Sequence, residues 1–583
     1  MFNSAKLSVI RGNTLYLGET AMKKTMALST LSLALAACSF NNTDSVDTAK
    51  APVGETAPAV LQEPVPANMQ PQHQPQRREL ADKFAVQEQR SGRHVRMPGA
   101  PAATAYIAAD QQSRPAYQSR ERYNGTTDNP IKRVHDAPMS TFSIDVDAAS
   151  FSLARRFLKE GRMPPADAIR SEEIINALAY EPMAGLSEQN PVGVETRIMA
   201  TPWNAGSRLL QVRLSAWEPA QEALPDSNYV FLIDVSGSMQ GEDRLGLLKR
   251  AFSVMLTRLK PGDTVALVTY AAGYKTVLEP TPASDKHKIL AALDALTAGG
   301  STHASDGIQR AYRLAQQAFI SGGNNRVILA TDGDVNVGLQ GDDVVKMVEG
   351  QRDREIYLTV LGVGRGNYMD AQLEPLADHG DGNYYYLDSF QEARRVLVSG
   401  LKGTAYTVAK DVKLQVEFNP AVVAEYRLIG YNNRQLADAD FNNDAKDAGD
   451  IGAGHSVTAL YEITLANGKY RFVDEPRYGV KRPEQTNNAE LALVKLRYKH
   501  AAGEASVRRD YLVASSILRE LQKPSEAVVA AAFAKKLRKS PYLANYGWPY
   551  LQSLSANLNA SRDNHADLKN MLETAALLEA SRG

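Results

Sequence analysis

The sequence predicts an α/β protein whose centre is a doubly wound, mostly parallel sheet with helices on both faces. A small α/β module precedes that centre and a β-rich domain ending in helices follows it. Three observations carry this prediction. Between about residues 226 and 402, short apolar strands alternate with amphipathic helices, as a parallel sheet covered on both sides requires. After Gly403 the alternation stops and strand-like runs follow one another directly. At 583 residues the chain also exceeds the roughly 250 to 300 at which one hydrophobic core stops growing, so several domains are needed.

The first segment, 1–38, reads as a signal-peptide region. Met22-Lys23-Lys24 leads into an apolar stretch, Met26 to Ala37, that is too short to span a bilayer and ends in Leu35-Ala36-Ala37-Cys38. This ending resembles the bacterial lipobox, in which the cysteine becomes the lipidated first residue. Cys38 is therefore the expected lipidation site and Met22 the expected start. It is the only cysteine, which excludes an intramolecular disulfide and a thiolate metal cluster within one chain. Each acyl chain contributes about 0.8 kcal/mol per buried methylene, and the several chains of a bacterial lipoprotein hold it stably on a membrane. Ser39 favours the outer membrane of a Gram-negative host, facing the periplasm or the surface.

Residues 39–133 are rich in Pro, Ala, Gln and Thr, a composition that cannot bury enough apolar area to offset backbone entropy. They are expected to form a disordered tether with a mean reach on the order of 55 Å. The module at 134–222 begins with a strand, Thr141 to Asp147. A helix holding Phe151, Leu153, Phe157 and Leu158 follows, then a break at Met163-Pro164-Pro165 and a second helix with Ile169, Ile174, Ile175 and Leu178. Asp145 and Asp147 lack hydroxyl neighbours at a useful spacing and read as structural.

The central domain, 223–402, opens on a buried strand, Tyr229 to Asp234. Leu245, Leu248, Phe252, Met255, Leu256 and Leu259 then keep a helical period up to Pro261-Gly262-Asp263. Strands are predicted at Thr264 to Tyr270, Thr276 to Glu279 (an edge), Arg326 to Thr331, Ile356 to Val363 and Asn383 to Leu387. Helices are predicted around Ile289 to Leu296, Val344 to Val348, Ala371 to Ala377 and Gln391 to Leu401. The last domain, 403–583, holds strands at Val412 to Phe418, Ser456 to Thr464 and Leu491 to Tyr498, then helices at Ser525 to Leu537 and Ala566 to Leu578.

The chain carries 66 basic and 66 acidic residues, so no net field gathers nucleic acid, and no nucleic-acid partner is expected. The informative motifs stand at strand ends, where open α/β sheets gather ligands. Asp234-Val235-Ser236-Gly237-Ser238 ends the first central strand. Gly299-Gly300-Ser301-Thr302 opens a helix, and Thr331-Asp332-Gly333-Asp334 ends a later strand. These motifs bring two carboxylates and three hydroxyls to one rim. The donors are all oxygen, which suits hard cations such as Mg²⁺, Mn²⁺ or Ca²⁺ and not zinc or copper. Asp306 and Asp334 read as loop-capping groups and His303 as a solvated loop residue. Asp438, Asp440, Asn442 and Asp444 imitate the start of a calcium loop, but Asn443 and Gly449 stand where Gly and Glu are needed.

Motif by motif, this rim resembles the metal-dependent adhesion site of von Willebrand factor type A (VWA) domains. The resemblance implies Asp234, Ser236, Ser238, Thr302 and Asp332 as the metal ligands, Mg²⁺ as the cofactor with Mn²⁺ or Ca²⁺ possible, and an open coordination position. From Pro138 to the end the chain is similar to the YfbK type of VWA lipoproteins. Ser140 to Asp147, Arg170-Ser171-Glu172-Glu173, Asp447 to His455 and Tyr546-Gly547-Trp548 carry that similarity. The expected function is a lipid-anchored envelope protein, not an enzyme, whose metal captures a Glu or Asp of an unidentified protein partner. The alternatives are an envelope scaffold with a fold-stabilising metal and a metal-dependent hydrolase. The hydrolase is disfavoured because the sequence holds no Gly-x-Ser-x-Gly elbow, phosphate loop or His-Glu-x-x-His.

Overall fold

The computed structural model describes residues 121–123, 125, 127–301, 305–333, 341–366, 370–474, 488–500, 504–543 and 546–581. The expected signal region, Cys38 and residues 39–120 of the expected tether lie outside these residues; the end of that segment is ordered rather than disordered, because Glu121 makes a buried ion pair with Arg156 and Lys132–Arg133 pairs as a strand with Tyr426 and Glu425. Among the described residues no helix is long and apolar enough to cross a membrane.

The amino-terminal flank contains β1 (Lys132–Arg133), β2 (Met139–Ser143), α1 (Ala149–Lys159), α2 (Ser171–Asn176), β3 (Val192–Ala200) and β4 (Arg208–Ala216). The centre alternates as its periodicity predicts. Its elements are β5 (Ser227–Asp234), α3 (Leu245–Met255), β6 (Thr264–Tyr270), β7 (Tyr274–Pro282), α4 (Lys286–Asp294), α5 (Ser305–Gln317) and β8 (Asn324–Thr331). Then come α6 (Gly341–Arg352), β9 (Ile356–Val363), α7 (Asp370–His379), β10 (Tyr384–Leu387), α8 (Phe390–Arg394) and α9 (Leu401–Ala405). The single helix expected from Gln391 to Leu401 is in three pieces, because a π-helical turn at Arg395–Ser399 separates α8 from α9. Such a turn inserts a residue into helical spacing, which side-chain periodicity alone does not reveal.

The six central strands run in the order β10-β9-β8-β5-β6-β7, parallel except for β7, which pairs antiparallel with β6 at the edge. One face packs Phe231, Ile233, Leu361 and Val363 against Leu248, Phe252, Ile289 and Val396 of the helices. The other packs Val230, Leu232, Val327 and Val360 against Ile308, Leu314, Val348 and Leu373. Because the strands are covered on both faces, they read as continuous apolar runs rather than alternating ones.

The carboxy-terminal flank supplies β11 (Thr407–Phe418), β12 (Val423–Ile429), β13 (Ile451–Gly452), β14 (Ser456–Leu465), β15 (Glu490–Lys499) and β16 (Val507–Ala514). It ends in α10 (Glu526–Leu537), α11 (Trp548–Leu554) and α12 (His565–Ala580). The two flanks, separate modules 134–222 and 403–583 in the sequence pattern, share both of their sheets. One runs β1-β12-β14-β4-β3; in the other β2 pairs with β11 beside β13, β15 and β16. Phe142 lies opposite Leu414, and Val212 opposite Ala459. Between the sheets, Phe142, Val212 and Leu214 share a core with Val416, Tyr461 and Leu496. The central domain is thus an insertion in a sandwich closed by both flanks. Local periodicity finds strands, but it does not carry the register between strands so far apart in the chain.

Helix α1 joins the two bodies. Ten of its eleven residues are buried, more than one-sided packing can achieve. Ala149 and Leu153 enter the core of the central sheet, whereas Phe151, Ala154 and Leu158 enter a helical core with Phe533 and Leu568.

Candidate metal centre

The chain reverses its direction of travel across the central sheet at β5. From that strand it moves outward through β6 and β7, then returns to β8 on the other side and proceeds to β9 and β10. The crevice outside the carboxyl ends of β5 and β8 is the topological switch point where such sheets bind ligands. Asp234 is the last residue of β5 and Asp332 follows the last residue of β8, so both carboxylates reach this crevice.

Asp234 is fully buried. Its Oδ1 accepts the Ser236 backbone N–H at 2.8 Å and its Oδ2 accepts the Thr331 hydroxyl at 3.3 Å. Burial is the larger influence on this carboxyl and, with the nearby Asp332 charge, pushes it up to about 6 against the lowering effect of those hydrogen bonds. Ser236 Oγ and Ser238 Oγ stand 3.0 Å apart; the first is buried and the second exposed, so the pair reaches from the crevice floor to solvent.

The third loop is held against the first by its backbone. Gly299 N–H donates to Val235 O at 2.7 Å, and Gly237 N–H donates to Gly300 O at 3.0 Å. Gly300 sits at φ +94°, a conformation costly for any residue with a Cβ, which explains the glycine at this point. Thr302, His303 and Asp334 lie outside the described residues. Asp306 is exposed in the first turn of α5. The structure therefore brings together Asp234, Ser236, Ser238 and Asp332 and fixes the approach of the loop leading to Thr302.

One rim residue is absent from the motif reading. Arg244 Nε lies 3.8 Å from Asp332 Oδ2, while its NH1 and NH2 groups donate to Gln240 O at 3.4 Å and Arg365 O at 2.9 Å. A Cβ on Gly364 would collide with this side chain at 2.4 Å, so glycine there leaves the arginine its path. Arg244 precedes the first residue of α3, where the helix dipole disfavours a cation. That misplaced charge was the available signal. The rim holds two buried carboxylates and, among the described residues, one guanidinium, which lies near Asp332, and every other named donor is a hydroxyl oxygen. This leaves negative charge for a small hard cation, so the residues present fit a divalent ion held by Asp234, Ser236, Ser238 and Asp332.

Comparisons with known proteins give the family of the chain. The model described as "von Willebrand factor type A domain" matches residues 229–334, which contain most of the rim, and "von Willebrand factor" matches 117–211. "Uncharacterized protein YfbK, C-terminal" matches 403–579. Over 440 residues the chain is 41% identical to "Uncharacterized protein YfbK" of Escherichia coli strain K12, covering 74% of this chain and 76% of that protein. The chain belongs to the YfbK family. Among solved structures it is similar to a von Willebrand factor type A protein from Catenulispora acidiphila, at 15% identity and TM-score 0.38, covering 66% of this chain and 89% of that one. It is also similar to the ArnB paralog VWA2 from Sulfolobus acidocaldarius, at 15% identity and TM-score 0.34, covering 67% and 98%.

This YfbK-family chain has a second acidic cluster, at the junction of insertion and sandwich. Asp145, Asp147 and Glu374 are all buried and lie close enough to share a cation. Here the chain supplies its own. Arg434 bonds Asp145 at 3.1 Å and Asp378 at 2.7 and 3.0 Å, with Asp147 at 3.7 Å and Glu374 at 3.6 Å. The structural role expected for Asp145 and Asp147 follows from these contacts. Asp147 also accepts the Tyr384 N–H at 3.0 Å, tying the flank to β10.

Proposed function

We propose that this YfbK-family protein binds a divalent cation, Mg²⁺ or alternatively Mn²⁺ or Ca²⁺, at the β5–β8 crevice and uses it to bind an acidic group on a partner protein. VWA domains commonly bind divalent metal at adhesion sites of this kind. The observation that carries the reading is the Ser236–Ser238 hydroxyl pair, 3.0 Å apart, beside buried Asp234 and Asp332 at the switch point. Asp234, Ser236, Ser238 and Asp332 are the assigned ligands, with Thr302 as the fifth. A cation on this neutral-hydroxyl set keeps much of its charge and offers an open coordination position to an outside Glu or Asp. Ser238, being exposed, marks the direction of approach.

The role is binding, not catalysis. Lipidation at Cys38 would hold the head in the cell envelope, and its loss in Cys38→Ala should abolish lipid labelling and release the chain from membranes. The metal reading is tested by titrating Mn²⁺ into wild type and Asp234→Ala with electron paramagnetic resonance. Wild type should bind one ion per chain and the variant none, while circular dichroism stays the same. Equal binding by both proteins would refute the assignment.

A further inference from the structure

Beside the metal rim lies a cavity of about 410 Å³ whose walls carry, among the described residues, four arginines and three carboxylates. We infer that this cavity is an anion subsite, so that the partner is a doubly acidic peptide segment: one carboxylate goes to the metal and a second to the arginines of the cavity. The inference rests on the metal reading above and deepens it.

The charge pattern is what requires a second anion. Glu121 and Arg156 form a closed, buried pair at 2.7 and 2.9 Å and cancel each other. Arg162 pairs with Glu160, and Arg365 lies 3.5 Å from both Glu160 and Asp243. Those four residues also balance. Arg244 is the surplus. Its single carboxylate partner among the described residues is Asp332 at 3.8 Å, and its hydrogen bonds go to carbonyl oxygens, which carry no net charge. Once Asp332 faces a divalent cation, the Arg244 charge is left against a solvent-open cavity.

Arg162 and Arg365 make that cavity adaptable. Each has 58% of its side chain exposed, and ion pairs so exposed are weak enough to be exchanged for an incoming carboxylate. Guanidinium groups bind carboxylates through two parallel hydrogen bonds, which adds direction to the attraction. Arg244 itself spans from the metal-ligand Asp332 to the cavity wall, so the two anion positions are about one guanidinium apart. In an extended peptide the side chains of residues i and i+2 fall on one side, about 7 Å apart, which suits a Glu-x-Glu spacing.

The test uses two fluorescently labelled probes on the full chain, acetyl-Gly-Glu-Gly-Glu-Gly-amide and its Gly-Glu-Gly-Gln-Gly counterpart. Binding is read by fluorescence polarisation with Mn²⁺ and with EDTA, and Mn²⁺ alone is titrated separately. With Mn²⁺, wild type should bind the diacid about tenfold more tightly than the monoacid, as one further charge-assisted pair provides. In Arg162→Gln/Arg365→Gln, substituted at exposed positions, that ratio should fall towards one. A ratio near one in Mn²⁺-loaded wild type, a ratio that persists in the double variant, or Mn²⁺ binding without binding of either peptide overturns the subsite. Absence of Mn²⁺ binding overturns the metal reading instead, and the subsite with it.

Discussion

Asp145-Val146-Asp147 and Asp234-Val235-Ser236 are similar in sequence and opposite in design. Each comes at or just after the end of a strand and buries its first aspartate. At the first, the carboxylates meet Arg434, delivered from a distant loop, and their charge is answered within the chain. At the second, hydroxyls replace the second carboxylate, and Arg244 stands 3.8 Å from Asp332. An acidic loop thus becomes a joint or a receptor according to what faces it, and what faces it is set by the tertiary fold.

The sharpest way to break this contrast is to remove the internal cation. Arg434→Met takes the shared cation from Asp145, Asp147 and Asp378, while Glu374 keeps Arg170 at 2.6 Å, and breaking a buried pair from one side costs about 3 to 5 kcal/mol. Urea unfolding should report that loss, and an unchanged midpoint would mean the cluster is not a joint. At the other loop the cation comes from outside. Mg²⁺ at a hundred times its Kd should raise the unfolding free energy by about 2.7 kcal/mol in wild type and leave Asp234→Ala unmoved.

A pH series sharpens the comparison further. Burial, with the charges of Glu173 and Asp145, pushes the Glu172 carboxyl up to about 7 from 4.5. Between those values the folded state holds a proton that the unfolded state has lost. Its contribution is complete below about 4.5 and is gone once pH passes about 7, a fall of about 3 kcal/mol. Glu172→Gln should flatten that slope and make the variant the more stable protein at pH 8. The smallest effect is expected at the rim's backbone. Gly300→Ala forces a Cβ into φ +94°, costing about 1 kcal/mol, and should weaken Mn²⁺ binding severalfold by loosening the Gly299–Gly300 loop from Val235 and Gly237.

The central sheet was legible because its strands are continuous apolar runs and its helices keep a clear period. The strand-end motifs located Asp234, Ser236, Ser238 and Asp332 for the same reason, since strand ends on a doubly wound sheet share a rim. Other features were hidden. Val192–Ala200 and Arg208–Ala216 mix charged and apolar residues, so they stand out weakly, although the second is an interior strand of the shared sandwich and the first its edge. Arg434 looks like an ordinary solvated arginine in sequence and Arg244 is marked only by its place before a helix, and only the folded chain shows which carboxylates they meet.

The shared sandwich also sets an order of events during synthesis. Strand β4 takes its place beside β14, with Val212 opposite Ala459, yet the whole insertion is translated between them. The inserted domain draws its six strands from one unbroken stretch, so it can mature while its host still lacks two of the five strands of one sheet and four of the five of the other. Such long-range pairing is slow to form. A released chain truncated just after Ala405 should therefore display a protease-resistant centre with β3 and β4 still open to cleavage.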